Sequence, residues 1–280
     1  MENNIVDIEN EYFKKKNKEA YELLINKEFE KVVDILKEPI EKINKKLEED
    51  KKYCPQNIFE ATIFMNFLQP KLKQEDFAKI NYYDFYLMNA AANYNLENFE
   101  ESRKSYDKAI ELNPASAIAK LQVLEMDKKE KRFDCFIDDV KNVFDFAYRR
   151  ADMARAYRNV GYYLYGQKDY EMAIVAYYLS NIYQMTELSM QEVNHIAEVA
   201  NIDLNEKQWL SEEMMGDFYE KYKIPLLPNQ NLAKLAIIMA DDAYEKKAYK
   251  AAQFTYGVAY ELTLEDEYLK KIEELKNLNS

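Results

Sequence analysis

The chain has 280 residues and a net charge of 39 − 51 = −12. A surface this acidic repels polyanions and anionic lipid headgroups, which excludes nucleic acid and membrane surfaces as partners over most of the molecule. Gly 4 and Pro 6 are too few to punctuate a sheet-rich fold, while 48% apolar residues suffice for a core, so an all-α protein is predicted.

In chain order, the opening MENNIVDIENEYFKKK lacks a basic start followed by an apolar core, so no secretory signal is expected. A degenerate hairpin is predicted over 13–50, where Phe29, Val32, Leu36 and Pro39 follow the turn NKE at spacings of 3, 4 and 3. The slot near 50–80 reads as helical without that stripe. Residues 83–116 carry it clearly: Phe99, Ser102, Tyr106 and Ala109 follow NLEN and a helix bearing Ala90 and Tyr94. Residues 117–150 carry it in Phe133, Phe136, Val140 and Val143, after KKEK.

Residues 154–187 show the pattern best. Tyr157, Val160, Gly161 and Leu164 share one helical face, QKD makes the turn, and Tyr170, Ala173, Tyr177 and Ser180 share the next. Gly161 is expected to let the two helices approach closely. Residues 187–230 form a non-repeat helical insert: one helix capped by Ser189, a packing anchor at Trp209, and a second helix stopped by Pro225 and Pro228. Residues 233–266 return to the stripe with Tyr249, Ala252, Tyr256 and Ala259, and the polar EDEYLKKIEELKNLNS reads as a capping helix. The longest apolar run, LAIIMA at 235–240, is far too short to span a bilayer. Cys54 and Cys135 have no CxxC spacing and read as free thiols of a reducing cytoplasm.

The stripes open at 29, 99, 133, 170 and 249, with gaps of 70, 34, 37 and 79. These are near two, one, one and two units of about 35 residues, the signature of stacked helical hairpins. The stretches AANYNLENFEESRKSYDKAIELNP (91–114) and YRNVGYYLYGQKDYEMAIVAYYLSNI (157–182) resemble tetratricopeptide repeats. Tyr86, Ala90, Phe99, Tyr106, Ala109 and Pro114 fill the family's aromatic, small-residue and closing-proline places in one unit. Tyr157, Gly161, Tyr170, Ala173 and Tyr177 fill them in another. The resemblance implies a right-handed superhelical solenoid of about six to seven units across 1–280. The insert followed by a final hairpin resembles an arrangement in Firmicute repeat proteins. Lysine-rich, asparagine-rich usage points the same way, to an AT-rich bacterial genome.

Such a solenoid would expose a concave face lined by the first helix of each unit. The resemblance places Arg155, Arg158, Asn159, Tyr162 and Tyr165 there, and 155, 158, 162 and 165 form a stripe offset from the packing residues. Four of the six arginines, Arg149, Arg150, Arg155 and Arg158, lie within ten residues, and the arginine fork suits carboxylates. Pairing with Asp138, Asp139, Asp145 or Asp152 is the competing expectation. Some tetratricopeptide domains grip a terminal carboxylate with Lys, Arg and Asn, but the preceding unit has Leu121, Gln122 and Glu125 instead. Tyr94, Asn95, Asp241 and Tyr244 are further groove candidates.

No HExxH, GxGxxG or Walker A pattern is present, and the single His195 has no nucleophile beside it in sequence, so no catalytic, metal or cofactor residue is assigned. The expected function is a non-enzymatic cytoplasmic scaffold that binds a peptide or protein segment, an acidic one included. Self-association and peptide-sensing regulation are the alternatives. A DNA-binding head is not expected, because residues 1–40 already read as a repeat-like hairpin.

Overall fold

One backbone turn recurs along the chain. Lys27, Glu97, Lys131, Lys168 and Lys247 all have left-handed backbone, with φ between 55° and 63°. Each ends a helix in the same way. The N–H of the left-handed residue bonds the carbonyl three positions back, and the next N–H bonds the carbonyl five positions back, as Lys168→Tyr165 and Asp169→Leu164 do at 3.0 Å each. This pair of bonds satisfies carbonyls that a helix end leaves open. In all five turns an aromatic stands two positions after the left-handed residue: Phe29, Phe99, Phe133, Tyr170 and Tyr249.

The computed structural model describes residues 2–278, and fourteen α-helices with no strand are found among them. The protein is all-α. Contacts divide it into two units, 1–126 and 127–280. In the first, α1 (Glu2–Ile25) and α2 (Phe29–Glu49) form a hairpin, and both pack on α4 (Tyr82–Asn95), which pairs with α5 (Phe99–Leu112). Phe13 sits at their centre, edge-on to Tyr82 and Phe85 at 5.9 and 5.7 Å. The helix α6 (Ala117–Glu130) contains the boundary between the units, and its Ala119 and Met126 join the first core.

The stretch 50–80 departs from its helical reading. It holds only a six-residue α3 (Ile58–Ile63), capped by Asn57, a π-helical turn over Phe64–Leu68, and a 3₁₀ turn over Gln74–Asp76. Pro55 and Pro70 bracket the helical part and cannot donate to helical hydrogen bonds, and an isolated bridge joins Tyr53 to Phe77 instead.

In the second unit, α7 (Phe136–Phe144) packs on α8 (Arg150–Gly166), which pairs with α9 (Tyr170–Gln184). The helix α7 starts three residues later than the stripe from Phe133 predicts, and Phe133 instead sits edge-on to Phe136 at 5.5 Å. Gly161 is where α8 meets α9: a Cβ built there would lie 2.6 Å from the Tyr177 ring. Tyr157 is buried, stacks on Tyr183 and donates to the Pro225 carbonyl at 2.6 Å. The aromatic stripe is core, as expected.

The insert contributes α10 (Glu187–Ala200) and α11 (Glu212–Tyr222), both packed on α9. Its cap corrects the reading of Ser189. Thr186 is the capping residue, and Ser189 is the third helical residue whose hydroxyl returns the bond to the Thr186 N–H. Trp209 anchors the insert, stacking on Tyr178 and donating to the Leu204 carbonyl. The hairpin of α12 (Gln230–Glu245) and α13 (Tyr249–Thr263) is closed by α14 (Asp266–Leu278), whose Tyr268 and Leu275 are buried. No described helix is long and apolar enough to cross a membrane.

Candidate functional site

The helix α8 carries most of the predicted contact residues, and its arginines divide into two kinds. Arg149 grips the buried Asp152 with two bonds, Nε to Oδ2 at 2.6 Å and Nη2 to Oδ1 at 2.8 Å. Arg150 donates its backbone N–H to Glu261 at 2.7 Å and reaches the Ile182 carbonyl at 3.4 Å. Arg158 reaches the Gln184 carbonyl at 3.4 Å. Arg150 and Arg158 thus lie at the C-terminal turn of α9, where open carbonyls and the helix dipole favour cations. Arg155 is half-buried and makes no hydrogen bond or ion pair among the described residues.

Asn159 lies one turn from Arg155. It is 1% exposed, and neither its Oδ1 nor its Nδ2 has a partner among the described residues. Leaving a buried amide without partners costs about 1–3 kcal/mol by mutational measures. A buried amide without protein partners calls for one from outside the chain, an ordered water or a ligand. Tyr162, one turn further on, is 42% exposed, with the Lys128 ammonium 5.1 Å from its ring and Phe133 beside it. Arg155, Asn159 and Tyr162 follow one another at i, i+4 and i+7, so α8 brings them onto one face.

The other predicted residues have partners within the fold. Tyr165 sits 3.2 Å from His195 Nε2 through its hydroxyl and 5.9 Å from the Tyr170 ring. Tyr94 meets Phe99 at 5.8 Å and Tyr244 meets Tyr249 at 6.2 Å. These three tyrosines therefore share one place, five residues before the aromatic that opens the next helix, where they brace the turn. Asn95 bonds the Ala91 carbonyl of its own helix at 2.8 Å. Asp241 accepts from Tyr256 at 2.6 Å and Lys271 at 3.2 Å, tying α12 to α13 and α14.

Two features carry no signal in the sequence. In the first unit, α1, α4, α5 and α6 enclose a cavity of about 300 Å³ lined by Tyr21, Leu24, Asp84, Leu87, Met88 and Tyr106, with Asn17 and Gln122 at its polar side. Burial pushes the Asp84 carboxyl above its ordinary value, and hydrogen bonds from Asn81 and Asn17 offset only part of that. In sequence Asp84 is one more acidic residue in a helix's first turn. In the second unit, an open depression of about 790 Å³ is bounded by Lys168, Asp169, Glu171, Ile202, Asp217 and Lys221. There Asp169 accepts from Lys221 at 2.5 Å and from the Tyr222 hydroxyl, and Glu171 pairs with Lys207.

Burial pushes the Cys54 thiol up to about 11, so it remains protonated, while Cys135 is exposed. No group of three or more His, Cys, Asp or Glu side chains placed to hold a metal is found among the described residues. No family model matches the chain, and no curated protein matches it in sequence.

Proposed function

We propose that this protein is a non-enzymatic cytoplasmic scaffold that binds a peptide or protein segment along the Arg155–Asn159–Tyr162 face of α8. In this reading the hairpins stack as a right-handed tetratricopeptide-like superhelix of about six to seven units, and that face belongs to its concave side. Arg155 carries the reading, as a half-buried arginine of α8 without a hydrogen bond or ion pair among the described residues. A carboxamide has one acceptor and two donors, the complement of a peptide group, but Asn159 is 1% exposed, so a partner's backbone would reach it only by displacing the side chains that cover it. Arg155 would hold a carboxylate of the same segment, and Tyr162 would cover its apolar side.

The reading is tested by setting stability against capture. Asn159→Leu removes the orphaned amide, so thermal unfolding is expected to rise by the equivalent of about 1–3 kcal/mol. The same variant should lose the partner that the parent protein captures from lysate, and Arg155→Glu should lose it with unchanged stability. If both variants capture the parent's partners, the face is structural.

Self-association has one observation in its favour. Ile182, Met185 and Leu188, around the α9–α10 junction, are 44%, 70% and 63% exposed. If they form an interface between copies, Met185→Glu with Leu188→Glu will lower the mass measured by light scattering. A monomeric parent excludes this.

A further inference from the structure

We infer that the cavity between α1, α4, α5 and α6 in the first unit is a binding site for an organic ammonium carried on an apolar stem. This site is separate from the α8 face and does not depend on the function proposed for it. Its walls are apolar and aromatic: Leu24, Leu87, Met88 and Ala91, with the rings of Tyr21 and Tyr106. Its volume, about 300 Å³, is at the lower end of pockets that hold small ligands or one long side chain. One charged group faces it, Asp84, and Asp84 makes no ion pair among the described residues.

The groups that hydrogen-bond that carboxylate are amides. Asn17 and Gln122 line the same cavity, and Asn81 and Asn17 bond the carboxylate itself. Glu60, an anion, acts on it through its charge and adds to the need for a cation. Lys14 and Lys79 line an adjoining cavity that Asp84 also borders, but Lys14 pairs with Glu11 at 3.0 Å and Lys79 is exposed. A half-buried carboxylate without a counter-charge loses hydration and receives only neutral dipoles in return. A cation supplied from outside restores the balance, and Tyr21, which lines the cavity and is 56% exposed, is of the ring type that attracts such a charge. An anionic ligand would meet Asp84 at close range, and a neutral apolar one would leave it unpaired.

The test uses the full chain and two probes of one shape, 4-phenylbutylamine and 4-phenylbutan-1-ol, with affinities from calorimetry. The amine is expected to bind at least tenfold more tightly, about the effect of one ion pair in a half-buried site. Asp84→Asn should weaken the amine tenfold or more and leave the alcohol unchanged. Ala91→Leu, which fills the cavity and leaves the carboxylate in place, should weaken both, and it keeps the test decisive if Asp84→Asn fails to fold. Equal affinity for amine and alcohol, or an amine affinity that neither variant changes, overturns the inference. A blocked Leu-Lys-Phe peptide, with and without acetylation of the lysine, identifies the source of the cation. Binding at least tenfold tighter than the amine, lost on acetylation, assigns it to a partner's lysine; peptide binding no tighter than the amine assigns it to a free amine.

Discussion

Gly161 and Gly257 show how one residue type carries opposite consequences within one unit. A methyl at 161 would enter the Tyr177 ring, which is itself buried between the helices. Gly161→Ala is therefore expected to destabilise by about 1–3 kcal/mol through overpacking. Nothing lies within 4 Å of a Cβ at 257, so there alanine adds helix propensity alone. Gly257→Ala should stabilise by about 0.5–1 kcal/mol. Thermal unfolding followed by circular dichroism separates the pair. Equal shifts of one sign would remove the close α8–α9 contact as the explanation. The same scale decides the arginines: Arg149 is committed to Asp152, and Arg150 and Arg158 to a helix end, so Arg155 remains the cation of α8 open to a partner.

Among the elements, one left-handed turn recurs at five helix ends. Each carries a lysine or glutamate where the backbone is left-handed, a conformation that costs an ordinary L-residue about 1–2 kcal/mol. Glu97→Gly removes that strain but adds freedom to the unfolded chain, leaving a net gain of about 0.5–1 kcal/mol in unfolding experiments. The insert is held by a different device. Asp169, in the α8–α9 turn, accepts from Lys221 and Tyr222 of α11. Burial alone would raise its carboxyl, but those hydrogen bonds outweigh burial and hold it below its ordinary value. Its stabilising effect is therefore complete above the unfolded carboxyl's pKa of about 3.9 and disappears as pH falls through the lower folded value. Hydrogen exchange should show α11 protected at pH 7 and released below about pH 4, whereas Asp169→Asn should release it already at pH 7. Protection unaffected by the substitution would mean that packing of Phe218, the fully buried residue of α11, holds the helix without Asp169.

Over the whole molecule, charge and repetition set the expectations. A net charge of −12 favours cationic ligands and repels anionic ones at long range, and added salt should weaken the ammonium site more than the α8 face. The proposed superhelix makes a prediction of size. A compact chain of 280 residues has a radius of gyration of about 19 Å, and stacked hairpins must exceed it. X-ray scattering at or below that value would remove the superhelical reading while leaving the hairpins intact.

The helical class, the turns that precede Phe29, Phe99, Phe133, Tyr170 and Tyr249, and the core identity of Tyr157, Tyr177 and Tyr106 were legible in the sequence, because apolar spacing reports which face of a helix is buried whatever lies against it. The close approach at Gly161 was legible for the same reason. The stretch 50–80 was not, since without a periodic stripe its prolines and caps decide the backbone locally. Nor was the capping role of Thr186, which rests on a bond three residues away. The candidate sites lay furthest from reach. Tyr94, Tyr165 and Tyr244 look like free groove residues until the turn folds an aromatic onto each, and Asp84 looks like an ordinary first-turn acid until α1 and α6 close around it. Spacing along one helix determines what faces inward. Only the neighbouring helices determine whether a polar atom that faces inward finds a partner, and that difference separates a packing residue from a binding one.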